Sequence, residues 1–328
     1  MRSYVILGSL ISIMIIFLII YYIPSTDDFS PDNPLYNGLS EFVNRYNVTR
    51  ISMQDLDRIE DHSIVFIIGP GRDFTSQEID LLRKYLLRGG VVFIADDFGT
   101  AQEILNLLNI NVSFYRGVLK DPLFMYRNSY LPRVDVKIDG ERLHLYMNYG
   151  TALNISAAKK GSCIGFSSIF SYIELYDEKG NITERLDGPL CIFYNMSVGE
   201  GVLYIFSDSS IFINSMIDLG DNNVFINIII SSRSSYVISD KWSMNLYTET
   251  RLYLIDLAFF ILNSVYKYLM IFTGAVVIYI VFYRISMRGV RKIDSEKTLR
   301  KVLEKILEKH PDWDRKILER IVEEERRQ

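Results

Sequence analysis

Apolar and polar positions divide the chain into three regimes. Tyr4 to Ile23 is a run of Ile, Leu, Met, Phe and Tyr relieved only by Gly8, Ser9 and Ser12, and Val265 to Tyr283 is a second run whose one charge is Lys267. A helix rises about 1.5 Å per residue, so either segment can cross a hydrocarbon core about 30 Å thick. Between the two runs, short apolar stretches are cut by turn residues; beyond them lies a charged stretch of helical period. The pattern predicts an N-terminal anchor over 1–23, an α/β domain over 24–250, an interfacial helix over 251–264, a second span over 265–283 and a helical tail over 284–328.

The central region opens as α/β. Leu35, Leu39, Phe42, Val43 and Tyr46 recur at helical spacing, and Val48–Met53 alternates as a strand does. Ser63–Ile68 is a continuous apolar run ending at Gly69-Pro70-Gly71, the profile of a buried parallel strand. Thr75 and Glu78 form a capping-box pattern opening a helix through Arg88, with Leu81, Leu82, Tyr85 and Leu86 on its inner face. Gly89-Gly90 stops that helix, and Val91–Ala95 is the next buried strand. It ends in Asp96-Asp97-Phe98-Gly99, before a second capping pattern at Thr100 and Glu103 and a short helix to Leu108. Strand, helix, strand, helix with short links implies right-handed crossovers and a parallel sheet covered on both faces.

From about 111 to 198 the period changes. Arg133–Ile138, Arg142–Met147, Tyr172–Tyr176 and Leu190–Tyr194 are short, β-branched or aromatic, and separated by turn residues. They predict an antiparallel meander, inserted into the α/β core or packed beside it. After Gly199-Glu200-Gly201 a core-type strand returns at Val202–Phe206, leading through Ser207-Asp208-Ser209-Ser210 into a predicted helix to Ile217. Asp221 is the expected cap of an apolar helix over Val224–Ile230, and Asn214 an expected turn residue.

Charge gives orientation. Arg284, Arg288, Arg291 and Lys292 crowd the exit of the second run; Arg2 precedes the first, and Asp27 and Asp28 follow it. Both biases put the termini in the cytoplasm and the middle outside. The alternative for the first run is a cleaved signal peptide. No small-x-small site precedes Pro24, however, and the apolar core exceeds the usual length, so an uncleaved anchor is preferred. From Arg284 onward 14 Lys/Arg face 10 Asp/Glu, net +4; the chain total of −4 leaves −8 for the rest. An acidic outer region without a basic aromatic patch excludes nucleic acid as a partner. Five glycosylation sequons, at Asn47, Asn111, Asn154, Asn181 and Asn195, all fall in the outer segment. Cys163 and Cys191 also lie there, where a disulfide persists; two buried thiols on neighbouring strands is the other reading.

Several motifs carry a resemblance. Gly199-x-Gly201-Val-Leu-Tyr-Ile-Phe-Ser-Asp208, then Asn214, Asp221-Asn222 and an apolar helix, resemble the C-terminal signature of the domain-of-unknown-function 4350 family. Tyr36-Asn-Gly-Leu-Ser40, Ile67-Ile-Gly-Pro70, Gly89-Gly90 with Asp96-Asp97-Phe-Gly99, and Asp121-Pro122 fit it in order, over roughly 27–235 and both anchors. The resemblance implies a class I glutamine-amidotransferase-like, flavodoxin-like parallel-sheet sandwich with the meander inserted, flanked by two transmembrane helices and a cytoplasmic tail. It implies kinship in fold with the auxiliary component of gliding-type transport systems, companionship with cytosolic MoxR-type AAA ATPases, and no established reaction.

The cysteine chemistry of amidotransferases lacks its parts in this pattern. The strand ends at Gly69-Pro70-Gly71 and Asp96–Gly99 hold no Cys, and neither His62 nor His144 has a partner at a recognisable spacing. No zinc spacing or phosphate-cradling loop occurs, and no cofactor is implied. One polar constellation remains. Ligands of open α/β sheets bind outside the carboxyl ends of strands, and Asp96, Asp97 and Thr100 lie at one such end, Asp208, Ser209 and Ser210 at another. If the two strands are neighbours, these residues line a cleft suited to a cation or a hydroxyl-rich ligand. The competing reading is that Thr100 and the serines cap helices while Asp96 and Asp208 accept loop N–H groups.

Leu252–Leu262 is apolar but carries Asp256, and joined to the span it would run about 45 Å, so a kink or a helix lying in the interface is expected. Thr273-Gly274-Ala275 offers small residues where another helix, a second copy included, can approach. In the tail, Leu299, Val302, Leu303, Ile306 and Leu307 form one stripe, His310-Pro311 breaks it, and Trp313, Ile317, Leu318, Ile321 and Val322 form another, before a charged end at Glu323–Arg327. A solvated tail is one reading; docking to a cytosolic partner is preferred. The expected function is a non-catalytic membrane-anchored domain that binds outside and couples inside. The alternative is a cell-surface hydrolase acting through Asp96, Asp97 and Asp208.

Overall fold

A computed structural model describes residues 2–177 and 179–325, without the side chains of several residues before Ile11 and of residues 285–297, 299 and 321–325. Two compact units emerge, 1–253 and 254–328. In the first, helix α1 (Arg2–Tyr22) precedes a mixed α/β body. Five parallel strands form its centre: β1 (Thr49–Ile51), β2 (Ile64–Ile68), β3 (Val91–Ala95), β13 (Gly201–Phe206) and β14 (Ser235–Ile238), in the order β1-β14-β2-β3-β13. Strands β2 and β3 are buried at every residue, as continuous apolar runs require.

Alternation along these strands feeds two cores. Phe66, Phe93 and Phe206 face helices α2 (Ser40–Arg45) and α5 (Asn222–Ile230). Val65, Ile67, Val92 and Ile94 face α3 (Ser76–Leu87) and α4 (Ala101–Leu107). The capping box at α3 forms: Thr75 Oγ1 accepts from the Glu78 N–H at 3.3 Å, and Glu78 accepts from the Thr75 N–H at 2.8 Å. Glu78 also meets buried Lys241 at 2.8 Å; burial raises its carboxyl, but the hydrogen bonds from Lys241 and Thr75 outweigh that and leave it lowered.

The region predicted as a meander holds β4 (Ser113–Phe114), β5 (Leu119–Lys120), β6 (Arg133–Ile138), β7 (Glu141–Tyr146), β8 (Leu153–Asn154), β9 (Ser162–Phe166), β10 (Tyr172–Tyr176), β11 (Ile182–Asp187) and β12 (Cys191–Val198). Four of these extend the parallel sheet antiparallel, in the order β13-β12-β9-β6-β7, while β11-β10-β5 make a separate small sheet. Cys163 on β9 and Cys191 on β12 are joined as a disulfide. Of the sequon asparagines, Asn47, Asn111 and Asn181 are exposed. Asn154 accepts from Ser156, and Asn195 from Ser162.

Several expectations change. The helix predicted to reach Ile217 is a single 3₁₀ turn over Ser210–Phe212, because the backbone beyond it turns to other partners: Asn214 N–H donates to Gly38 O and Ser215 N–H to Tyr36 O. Asn214 itself caps α2, its Oδ1 accepting from Glu41 N–H at 2.8 Å. Thr100 makes no side-chain cap, and Glu103 instead accepts from Phe74 N–H at 3.1 Å. Asp221 likewise leaves α5 uncapped by its side chain and accepts from His144 N–H. Strand β14, between β1 and β2 near one edge of the sheet, lies in a stretch to which the hydropathy pattern assigns no element.

Helix α6 (Leu246–Asn263) starts before the predicted interfacial segment and breaks at Ser264-Val265. In the second unit α7 (Tyr266–Lys309) runs unbroken from the apolar segment into the tail, ending just before Pro311, and α8 (Arg315–Glu325) follows. Among the described residues, Tyr266–Arg284 is long and apolar enough to cross a membrane, and Ile11–Tyr22 is a shorter apolar stretch. The side chains of Arg288, Arg291, Lys292, Leu299, Ile321, Val322 and Glu323–Glu325 lie outside the described set, as do Arg326 and Arg327 entirely.

Candidate functional site

Strands β2 and β3 are direct neighbours, so the loops after Ile68 and Ala95 leave the sheet side by side. Gly69 takes φ +51°, a conformation open to glycine, and turns the chain away while its N–H donates to Ala95 O at 2.9 Å. Gly99 has no room for a Cβ, which would strike Pro70 O and the Asp96 carboxylate. Thr100 fastens the two loops, its Oγ1 donating to Pro70 O at 3.2 Å and Arg72 O at 3.0 Å. These contacts shape a cleft of about 510 Å³ lined by Thr26–Phe29, Gly69–Gly71, Asp96–Gly99 and Ser243–Asn245.

The acidic residues divide by depth. Asp96 lines the cleft but is spent on structure: Oδ1 accepts from Gly99 N–H at 3.1 Å and Oδ2 from Ala101 N–H at 2.9 Å, which makes Asp96 the cap of α4. Burial pushes its carboxyl up to about 7, and the adjacent Asp97 charge adds to that. Asp97 is half-buried on the cleft wall, raised by burial, and accepts from Phe98 N–H at 2.7 Å. β13 adjoins β3, so Asp208 does come beside this group, yet it is fully buried and does not line the cleft. It accepts from Asn148 N–H at 2.8 Å and Ser210 N–H at 2.7 Å; burial, then Asp97, raises it to about 8. The Ser209 hydroxyl is buried without a hydrogen-bond partner, and its approach to Asp97 is the weakest influence on that carboxyl.

The predicted constellation is therefore assembled but layered. Asp97 faces the open cleft, Asp96 and Thr100 build its wall, and Asp208 and Ser209 sit behind. Both cysteines are in the disulfide. His144 pairs with Asp135 at 2.7 Å on β7, and neither it nor His62 lines the cleft. Among the described residues no group of three His, Cys, Asp or Glu side chains is placed to hold a metal ion. The arrangement suits hydrogen bonding to a polar ligand, with Asp97 and the exposed Asp28 as accessible acceptors. A second cavity of about 420 Å³, lined by Arg83, Asn109–Val112, Lys159 and Lys160, lies at the opposite strand ends and contains none of these residues.

The hydropathy pattern misses half the lining. Asp27 reads from sequence only as an acidic flank of the first apolar run. In the structure it is buried and accepts from Asn245 N–H at 3.3 Å, just before α6, while Ser25 meets Thr248 at 3.0 Å. The available signal was the pair Asn245 and Thr248, a cap pattern realised by Thr248 N–H donating to Asn245 Oδ1 at 2.8 Å.

The raised carboxyls set a pH dependence. An unfolded Asp titrates near 3.9, so between about pH 4 and pH 8 the folded chain binds more protons at Asp96 and Asp208 than the unfolded chain. Stability then falls as pH rises across that window. Urea midpoints should be lower at pH 8 than at pH 5.5, and Asp208→Asn should flatten the difference. An unchanged slope in the variant would remove Asp208 as its source.

No family model matches the chain. Among solved structures it is similar to the mmIFT52 N-terminal domain at 15% identity and TM-score 0.41, covering 54% of this chain and 78% of that one. It is also similar to the exo-β-1,4-mannosidase Op5Man5 from Opitutaceae bacterium strain TAV5, at 9% identity and TM-score 0.26, covering 50% of this chain and 22% of that one. At these scores neither likeness bears on function. A curated relative in Methanothermococcus thermolithotrophicus, described as an "uncharacterized protein in nifH1 5'region", is 34% identical over 77 residues, 23% of this chain and 79% of that protein. The chain belongs to the family of that Methanothermococcus protein.

Proposed function

We propose that this is a two-pass membrane protein, with α1 and the Tyr266–Arg284 segment of α7 as its spans. Its flavodoxin-like outer domain binds a polar ligand in the cleft at the ends of β2 and β3 and couples that binding to a cytoplasmic partner of the tail. One observation carries this reading: the cleft is lined by the segments where α1 and α6 join the domain. A ligand against Asp97 touches the same walls that hold Asp27 to Asn245 and Ser25 to Thr248, so occupancy bears directly on both connections. From α6 the chain passes through Ser264-Val265 into α7 and onward to the tail. The ligand class is hydroxyl-rich and uncharged or cationic, matched to an acceptor wall. The cytosolic partner is of the MoxR-type ATPase class implied by resemblance to the domain-of-unknown-function 4350 family, and the role that of an accessory scaffold. A surface hydrolase is the second reading, and the layering of Asp208 behind Asp97 counts against it.

Topology is tested on sealed cells. Added protease should cut within 24–250 and leave a C-terminal epitope intact; a protected central domain would end the proposal. Coupling is tested by co-purification from detergent-solubilised membranes. The full chain should retain a cytosolic protein that a chain truncated after Arg284 loses. Equal recovery from both would remove the tail from the account.

A further inference from the structure

The surface that surrounds the cleft carries apolar side chains that the α/β fold does not use. β2, β3 and β13 all end at one edge of the sheet. β12, antiparallel to β13, begins at that edge; β9 returns to it at Phe166, β6 leaves from it, and β7 comes back at Tyr146. The loops 97–100, 121–132, 147–151 and 167–171 therefore gather on the same rim. On them Phe98 is 53% exposed, Leu123 62%, Tyr149 50% and Ile169 67%, with Phe124 and Phe170 exposed beside them, their rings 6.1 Å apart. The loops are tied to one another and to the cleft. Asn148 N–H donates to Asp208, Tyr149 N–H to Tyr130 O at 2.9 Å, Leu119 N–H to Gly150 O at 2.9 Å, and Ser168 Oγ to buried Asp121 at 2.5 Å. The rim is a built surface rather than a set of loose tips.

We infer that this rim rests on the lipid bilayer, with Leu123, Phe124, Tyr149, Ile169 and Phe170 in the headgroup interface. The inference depends on the membrane attachment proposed above. Three observations select lipid as the occupant. The α1 connection reaches the domain at this rim: only Ser25, fixed to Thr248, separates the cleft lining from Pro24, and from Tyr22 to Ser25 the chain extends at most about 11 Å. A span ending at Tyr22 brings the cleft end of the rim to within that length of the bilayer, and the loops 121–132, 147–151 and 167–171 leave the sheet on the same side. The composition is also interfacial, aromatic and aliphatic tips beside cations: the guanidinium of Arg133 lies 4.7 Å over the Phe124 ring and that of Arg127 5.0 Å over Tyr126, both placed to meet anionic headgroups. Finally, apart from the half-buried Asp97 on the cleft wall, the rim loops hold one acid, Asp121, and it is buried.

The test uses full-length chain in vesicles of phosphatidylcholine and phosphatidylglycerol, with nitroxide labels on cysteines introduced one at a time. Cys163 and Cys191 are paired and do not take the label. Leu123→Cys, Tyr149→Cys and Ile169→Cys report the rim; Leu87→Cys, exposed beside the Gly199 turn at the opposite strand ends, is the aqueous reference; Val277→Cys reports the span. Relaxation by oxygen relative to a water-soluble nickel chelate should be several-fold higher at the three rim sites than at Leu87. Rim ratios equal to that of Leu87, with a lipid-like ratio at Val277, overturn the rim proposal and leave the span standing. A rim label shielded from both relaxants marks a second protein there and overturns it too. An aqueous ratio at Val277 sinks the attachment on which both readings rest.

Discussion

Phe93→Ala should cost about 3–5 kcal/mol, a large share of the about 5–15 kcal/mol that usually holds an α/β body folded. Phe93 is fully buried at the centre of β3, and its ring lies 5.5 Å from Phe66, 5.7 Å from Phe193, 5.5 Å from Phe212 and 6.1 Å from Phe225. These neighbours sit on β2, β12, the turn after β13 and α5, so no single element can move in to fill the void. The cost is the lost transfer of the ring together with the cavity that remains. Phe98→Ala, which trims an exposed ring at the cleft mouth, should stay within about 0.5 kcal/mol. Urea midpoints followed through the nearly buried Trp242 would measure both. A loss below about 1.5 kcal/mol for Phe93→Ala would mean that the aromatic cluster relaxes far more than a close-packed interior permits.

Replacing Cys163 and Cys191 together by Ala should cost about 3–4 kcal/mol. The crosslink closes a segment of 28 residues, and the chain-entropy relation gives about 3.6 kcal/mol at 25 °C for a loop of that size. The segment includes β10 and β11, which pair with each other, β10 also with β5, and neither with the main sheet. Without the bond this small sheet is held by its own pairing and by Ile173 packing into the core. Protease should then nick the doubly substituted chain first between residues 167 and 190. Uniform loss of resistance across the domain would show that the bond stabilises the whole body at once.

Legibility tracked the range of the interactions. β2, β3 and β13 are readable because a strand buried on both faces must be apolar throughout, and that leaves a local mark. The α3 cap is readable because both its residues sit within one turn. By contrast β14 spans four residues after a serine-rich stretch, and its place between β1 and β2 rests on pairing with residues about 170 or more positions away. The apolar stretch from Ile211 to Ile217 has helical composition, yet the N–H groups of Asn214 and Ser215 are claimed by Gly38 and Tyr36, a tertiary demand no local pattern contains. The same holds in the cleft. Asp96 and Asp97 follow from the rule for strand ends, whereas Asp27 and Asn245 meet across more than two hundred residues. Depth was equally invisible: sequence sets Asp97 and Asp208 on a par, and only packing separates a wall from what lies behind it.

Helix α7 passes from its apolar segment into the charged tail without interruption. A rod of this kind transmits twist, so the azimuth of any tail surface is set by residue count. Inserting one residue after Arg284 would turn everything beyond it by about 100°, whereas inserting seven would restore the original bearing to within about 20°. Signalling through such a shaft would depend on helical phase much as a crankshaft depends on the angle of its throws.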